Sequence, residues 1–209
     1  MKDLVVLVPD KSTEQVIKGL LQRHQALQIR PLTYDVFVHP RRDPGCLNGA
    51  PDFLRQFATS YEHALVVLDH EGCGRERDDP RTLADGLKSQ LGSNGWAQRA
   101  QAVVVAPELE VWVWSRSPQV ARCLGWGQDL AHLRRWLAAE GYWPRGNPKP
   151  PRPKEAMEAA LRRVRKPLSS TVFYDLAISV SLTGHTEPAF VRLTSTLRGW
   201  FPPTQPARD

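Results

Sequence analysis

Three apolar runs of β-strand character in this chain are followed at once by acids, and the carboxyl ends of strands in an open α/β sheet are where ligands bind. Asp10 and Glu14 follow the run at residues 4–8. Asp69 and Glu71, in VVLDHEGCG, follow residues 64–68, and Glu108 and Glu110, in VVVAPELEVW, follow residues 102–106. Carboxylates without partnering His or Cys suit Mg²⁺ or Mn²⁺ rather than zinc, because hard cations take oxygen ligands. Two acids beside glycines after a buried strand repel one another unless a cation lies between them. If Asp69 and Glu71 both lie on extended backbone, their i, i+2 spacing turns both carboxylates to one side and His70 to the other. His70 is therefore read as structural. Each single acid also has a plainer reading, as a group favouring the positive end of the helix that follows it.

These acids converge only if a sheet brings them together, and the apolar spacing predicts one. Residues 4–8 form a continuous β-branched run, and residues 12–23 follow with helical spacing at Val16, Ile17, Leu20 and Leu21. Ser12 with Gln15 makes a capping-box pattern at that boundary. Residues 32–38 read as a second strand, HPRRDPGCLNGAP as a loop, and residues 52–62 as a helix. A strand at 64–68, a helix at 80–91 and a strand at 102–106 continue the alternation. The expected fold is α/β: a Rossmann-like, mostly parallel sheet with helices on both faces, followed by a helical C-terminal extension. Helices are expected at 129–140, 154–164, 173–181 and 188–197, with a strand reading of TVFYDLAISV as a competitor. The expected organisation is a core at 1–116, a basic helical extension packed on it at 117–200, and a disordered tail at 201–209.

Composition narrows the setting. Of the 209 residues, 41% are apolar and 24% charged, and no apolar run approaches the roughly 18 residues of a membrane span, so no membrane partner is expected. The N-terminus MKDLVVLVPD has no small-residue cleavage site, which points to the cytoplasm. Cys46, Cys73 and Cys123 are widely spaced and odd in number, and they read as reduced thiols. Residues 1–110 hold 13 Lys and Arg against 15 Asp and Glu, whereas residues 111–209 hold 15 against 7. An acidic first half and a basic second half suit a polyanion held by one part and worked on by metal in the other, although a solvated basic face explains the same excess. Trp112 and Trp114 are assigned to the core.

The order of three elements carries a resemblance. An acid-containing turn after the first strand (VPDKSTEQVIKGLL), a D-x-D-like element (VVLDHEG) and a P-E-x-E-x-W element (APELEVWVW) resemble a TOPRIM-type fold. The similarity is to a family of bacterial proteins encoded in phage-defence loci and related to the TOPRIM half of overcoming-lysogenisation-defect nucleases. PKEAM at residues 153–157 and TEPAFVRLTSTL near Phe190 resemble that family's later elements loosely. The resemblance implies that Asp10 stands for the glutamate of the first turn and Glu14 for its second acid, with Lys11 in place of the usual glycine. It further implies that Asp69 is the first acid of D-x-D, that Glu71 replaces the second aspartate with a longer side chain, and that Glu110 is the glutamate before tryptophan. Lys154 matches the lysine of that family's Pro-Lys-Glu element, which could pair with a phosphate.

The activity so implied is Mg²⁺- or Mn²⁺-dependent phosphodiester hydrolysis of nucleic acid, DNA in preference to RNA. Asp69, Glu71 and Glu110 would hold metal, and Asp10 or Glu14 would add a ligand or accept a proton. Arg134, Arg135, Lys149, Arg152, Lys154, Arg162, Arg163, Arg165 and Lys166 would contact phosphates. A rival reading is a non-catalytic nucleic-acid-binding or assembly subunit whose partner proteins in a defence system include an ATPase, since no G-x-x-x-x-G-K-[ST] occurs in this chain. A nucleotide-binding enzyme is disfavoured, because PDKSTE rather than a glycine-rich turn follows the first strand.

Overall fold

In a computed structural model, which describes residues 1–203, four strands form one parallel sheet in the order β2-β1-β3-β4. They are β1 (Lys2–Val8), β2 (Tyr34–Val38), β3 (Tyr61–Asp69) and β4 (Ala100–Val105). Residues 4–8 of β1 and 64–68 of β3 are wholly buried, which explains their unbroken Val, Leu and Ala composition: a strand covered on both faces has no polar side to show. Alternation then sorts the residues by face. Leu4, Val6, Leu65, Val67, Val103 and Val105 belong to one core, and Val5, Leu7, Ala64, Val66, Ala102 and Val104 to the other.

Helices cover both faces. The short helix α2 (His24–Leu27) follows α1 (Lys11–Gln22), and both lie on the first face, while α3 (Arg42–Arg55) and α4 (Pro80–Leu91) lie on the second. The remaining helices are α5 (Gln119–Cys123), α6 (Leu130–Ala139), α7 (Pro153–Arg163), α8 (Ser170–Ser179) and α9 (Pro188–Trp200). They pack on the first face, sharing its core through Leu133, Met157, Phe173 and Leu193, with α8 against α1 and α9 against β4. TVFYDLAISV is therefore helical. Trp112 and Trp114 are buried in the same core, and the three cysteines are unpaired and buried. Among the described residues no helix is long and apolar enough to cross a membrane.

Three expectations change. The cap of α1 is Asp10, whose side chain accepts the Thr13 N–H, so Ser12 lies inside the helix rather than capping it. The segment expected as a loop at 39–51 is mostly helix, because α3 begins at Arg42, ten residues earlier than expected. Gly45 is required by packing, since a Cβ there would stand 2.1 Å from His39 Nδ1, whereas one on Gly49 would make a tight contact of 3.1 Å with His39 Nε2. Gly45→Ala is accordingly expected to destabilise the fold by about 1–3 kcal/mol, read by urea denaturation, since ring and helix must separate to admit the methyl group. Finally, Phe201 is buried against Arg30 and His63, so the expected tail does not start there. Residues 204–209 lie outside the described residues.

Candidate metal and phosphate site

The order in which strands are added reverses between the parallel neighbours β1 and β3: β1 leads by way of α1 outward to β2, whereas β3 leads by way of α4 outward to β4. The carboxyl ends of β1 and β3 thus flank the switch point, where doubly wound sheets open a crevice. A cleft of about 740 Å³ lies there, lined by Asp10, Asp43, Asp69, Glu71 and Glu108 together with Arg41, Arg42, Arg152 and Lys154. α1, α3 and α7 all start at this cleft, and their positive N-terminal ends offset part of the acidic charge.

Asp69 is the last residue of β3 and the centre of the group. Its N–H donates to Asp43 Oδ1 at 2.8 Å, tying the end of β3 to the first turn of α3. Some of the residue's surface remains accessible, but Oδ1 is sealed from solvent and has no hydrogen-bond partner among the described residues. Burial pushes the Asp69 carboxyl well above the usual range, and the charges of Asp43, Glu110, Asp10 and Glu108 push it further. An unpartnered buried carboxylate oxygen is costly unless it is protonated or meets a cation.

The surrounding acids are held differently. Asp10 Oδ1 accepts from Thr13 N–H (2.8 Å) and Thr13 Oγ1 (3.1 Å), while no hydrogen bond reaches its Oδ2 among the described residues. Glu71 lies beyond the end of β3, in a turn whose N–H donates to Pro107 O at 2.9 Å. The turn, and not strand alternation, therefore brings Glu71 to the cleft beside Asp69. His70 is structural, its Nε2 lying 2.8 Å from Asp78 O. Glu108 accepts the Lys154 N–H at 3.2 Å and lies 3.6 Å from Lys154 Nζ, so it caps α7. Burial nevertheless leaves its carboxyl above the usual range.

Glu110 sits in the 3-10 turn Leu109–Trp112, beneath the cleft and not on its lining. Burial, and then the charge of Glu108, raise its carboxyl to about 7. Lys149 anchors this turn, donating from Nζ to Val111 O at 2.6 Å and pairing with Glu187.

Several expected site residues stand elsewhere. Glu14 is not on the cleft: its two oxygens are clamped by Lys11 and Lys18 at 2.6 Å each. Burial works to raise this carboxyl, but the two ammonium groups hold it below the usual range. Lys149 and Lys166 are committed to carbonyls, Lys166 Nζ donating to Cys123 O at 2.6 Å. Arg162 and Arg163 border a separate hollow with Trp136, Glu140 and Tyr142, about 12 Å from Lys154 along α7. Asp43, Arg41 and Arg42, in contrast, belong to the cleft and were not among the expected site residues. The signal for Asp43 was present, since it follows β2 as Asp10 follows β1 and Glu108 follows β4.

Side chains as placed make no finished coordination sphere: among the described residues no three His, Cys, Asp or Glu stand close enough to hold one ion. The donor set still fits a hard divalent cation. It is all-carboxylate, and its central oxygen lacks a partner. No family model, curated protein or solved structure matches the chain.

Proposed function

We propose that the chain is a cytoplasmic, divalent-metal-dependent phosphodiesterase acting on nucleic acid, DNA in preference to RNA. The observation that carries this reading is the sealed, unpartnered Oδ1 of Asp69 among four other acids at the switch point of the sheet. Asp69 and Asp10 would hold Mg²⁺ or Mn²⁺, with Glu71 and Glu110 completing the shell. The bound ion would supply Lewis-acid stabilisation of charge developing on phosphate oxygens. Asp43 fixes the Asp69 backbone, and on the rim where a phosphate would lie Lys154 is shared with Glu108 and Arg152 with Glu155, so a phosphate there would displace these acids from their partners. The resemblance to TOPRIM-type defence proteins adds a biological setting, resistance to phage.

The expected result is cleavage of DNA with Mg²⁺ or Mn²⁺ and none with EDTA. Cleavage unaffected by chelation would reject the reading. A second reading, a non-catalytic nucleic-acid-binding subunit that works with partner proteins such as an ATPase, is favoured by the commitment of Glu108 to Lys154. Under that reading metal leaves DNA intact, and pull-down from the native host returns stoichiometric partners.

A further inference from the structure

The two edges of the sheet are finished differently. Along the free side of β4, Gln101 Oε1 accepts the Ala102 N–H at 3.1 Å, Arg192 of α9 donates to the same oxygen at 2.9 Å, and α9 packs against the strand. Side chains plug that edge. β2 forms the other edge and pairs with β1 alone. The His39 N–H donates to Val8 O and Thr33 O accepts the Leu4 N–H, so the odd-numbered residues of this segment turn their backbone groups toward β1. Tyr34, Val36 and Val38 turn theirs away. Among the described residues no hydrogen bond reaches those outward groups.

An open edge of this kind is a template for a further strand unless lysine, proline or a bulge blunts it. YDVFV contains neither lysine nor proline, and its register with β1 is unbroken from Tyr34 to Val38. Its only charge, Asp35, is already satisfied by Lys2 and Tyr61. Apolar side chains border the edge on both faces. Phe37, Phe53 and Phe57 form a half-buried aromatic cluster on one face, with ring centroids 4.9–6.1 Å apart. Tyr34 and Val36 are half-buried on the other, and Val38 is 36% exposed.

We propose that β2 pairs antiparallel with β2 of a second copy of this chain, about a twofold axis through Val36, to make one continuous sheet. The register is self-complementary. With Val36 opposite its own copy, Tyr34 stands opposite Val38, and every N–H left free on one strand meets a free C=O on the other. The same axis sets the Phe37 clusters of both copies on one face of the joined sheet. This match favours a second copy over a strand of another protein. Antiparallel pairing points the carboxyl ends of the two sheets in opposite directions, so each cleft stays complete within one copy. The interface therefore stands or falls apart from the metal-dependent reading.

Sedimentation equilibrium of the full chain in EDTA should show a concentration-dependent equilibrium between monomer and dimer. Val36→Pro removes the central donor, whose N–H faces solvent in a single chain, and proline is tolerated at such edge positions. Loss of the dimer is expected, with the circular dichroism of the folded protein retained. Val38→Lys puts an ammonium on the exposed edge and is expected to abolish the dimer as well, which keeps the test decisive should the proline unfold the strand. Val191→Lys, at a 49% exposed position on α9, should leave the dimer intact. A chain that stays monomeric at every concentration overturns the proposal. So does a dimer that persists in a folded Val36→Pro or Val38→Lys variant, or one that only Val191→Lys dissociates.

Discussion

Asp69→Asn is expected to abolish metal-dependent cleavage and at the same time to make the protein more stable. The substitution keeps shape and removes the charge. Losing the central carboxylate should slow cleavage at least about 1,000-fold, equivalent to about 4 kcal/mol of transition-state stabilisation. Stability moves the other way because burial and four neighbouring acids already oppose ionisation of Asp69. A carboxyl whose folded pKa lies above its unfolded value keeps its full contribution below the unfolded value, and loses it as pH rises through the folded one. The advantage of the Asp69→Asn variant should therefore be absent near the ordinary carboxylate range and grow toward neutrality, visible as a rise of several degrees in Tm without metal. Cleavage within tenfold of wild type, or a fall in Tm at pH 7, would contradict the role given to Asp69.

Glu110→Gln should raise stability at pH 8 by about 3 kcal/mol in the absence of metal. The Glu110 carboxyl titrates at about 7 in the fold against an ordinary 4.5, and each pKa unit is worth about 1.4 kcal/mol. Between those two values the folded chain binds more protons than the unfolded one, so the wild type loses stability as pH rises through that window. Urea denaturation at pH 5 and pH 8 measures the difference. Mg²⁺ should restore part of the loss in wild type at pH 8 and little in the variant. A gap that is equal at both pH values would show that Glu110 does not ionise in this window.

The parts of the fold readable in the sequence were those in which local chemistry and burial agree. The β1, β3 and β4 runs are continuous because both faces are covered, and α4 is bounded by Asp79, which caps it, and by Pro80 in its first turn. α3 was misread because Pro44, Gly45, Gly49 and Pro51 carry the residue types of a loop. Two of these glycines serve a contact with His39 that no local pattern reveals. Pro44 sits in the first turn, where its missing N–H costs nothing. With α3 hidden, the two arginines at its start were hidden as well.

Legibility of the site followed the same division. Asp10, Asp69 and Glu71 were recoverable from their places after strands. Glu14 was not distinguished from them, although Lys11 and Lys18 stand at the i−3 and i+4 spacings that pair on a helix surface. The Glu108–Lys154 contact joins residues 46 apart and depends on how α7 docks, which spacing along the chain does not encode. Net charge was a poor guide to which cations line the cleft for a similar reason. Of the basic residues after position 110, Lys149 and Lys166 hold carbonyls, and among the described residues only Arg152 and Lys154 reach the cleft.

The central claim, that Asp69 holds a divalent cation, is tested most directly by anomalous diffraction from a crystal soaked in Mn²⁺. A peak about 2.1–2.2 Å from Asp69 Oδ1, with Asp10 and at least one of Glu71 and Glu110 in the same shell, is the predicted result. A saturated crystal with no peak at Asp69, or with Mn²⁺ bound only at other carboxylates, would contradict it.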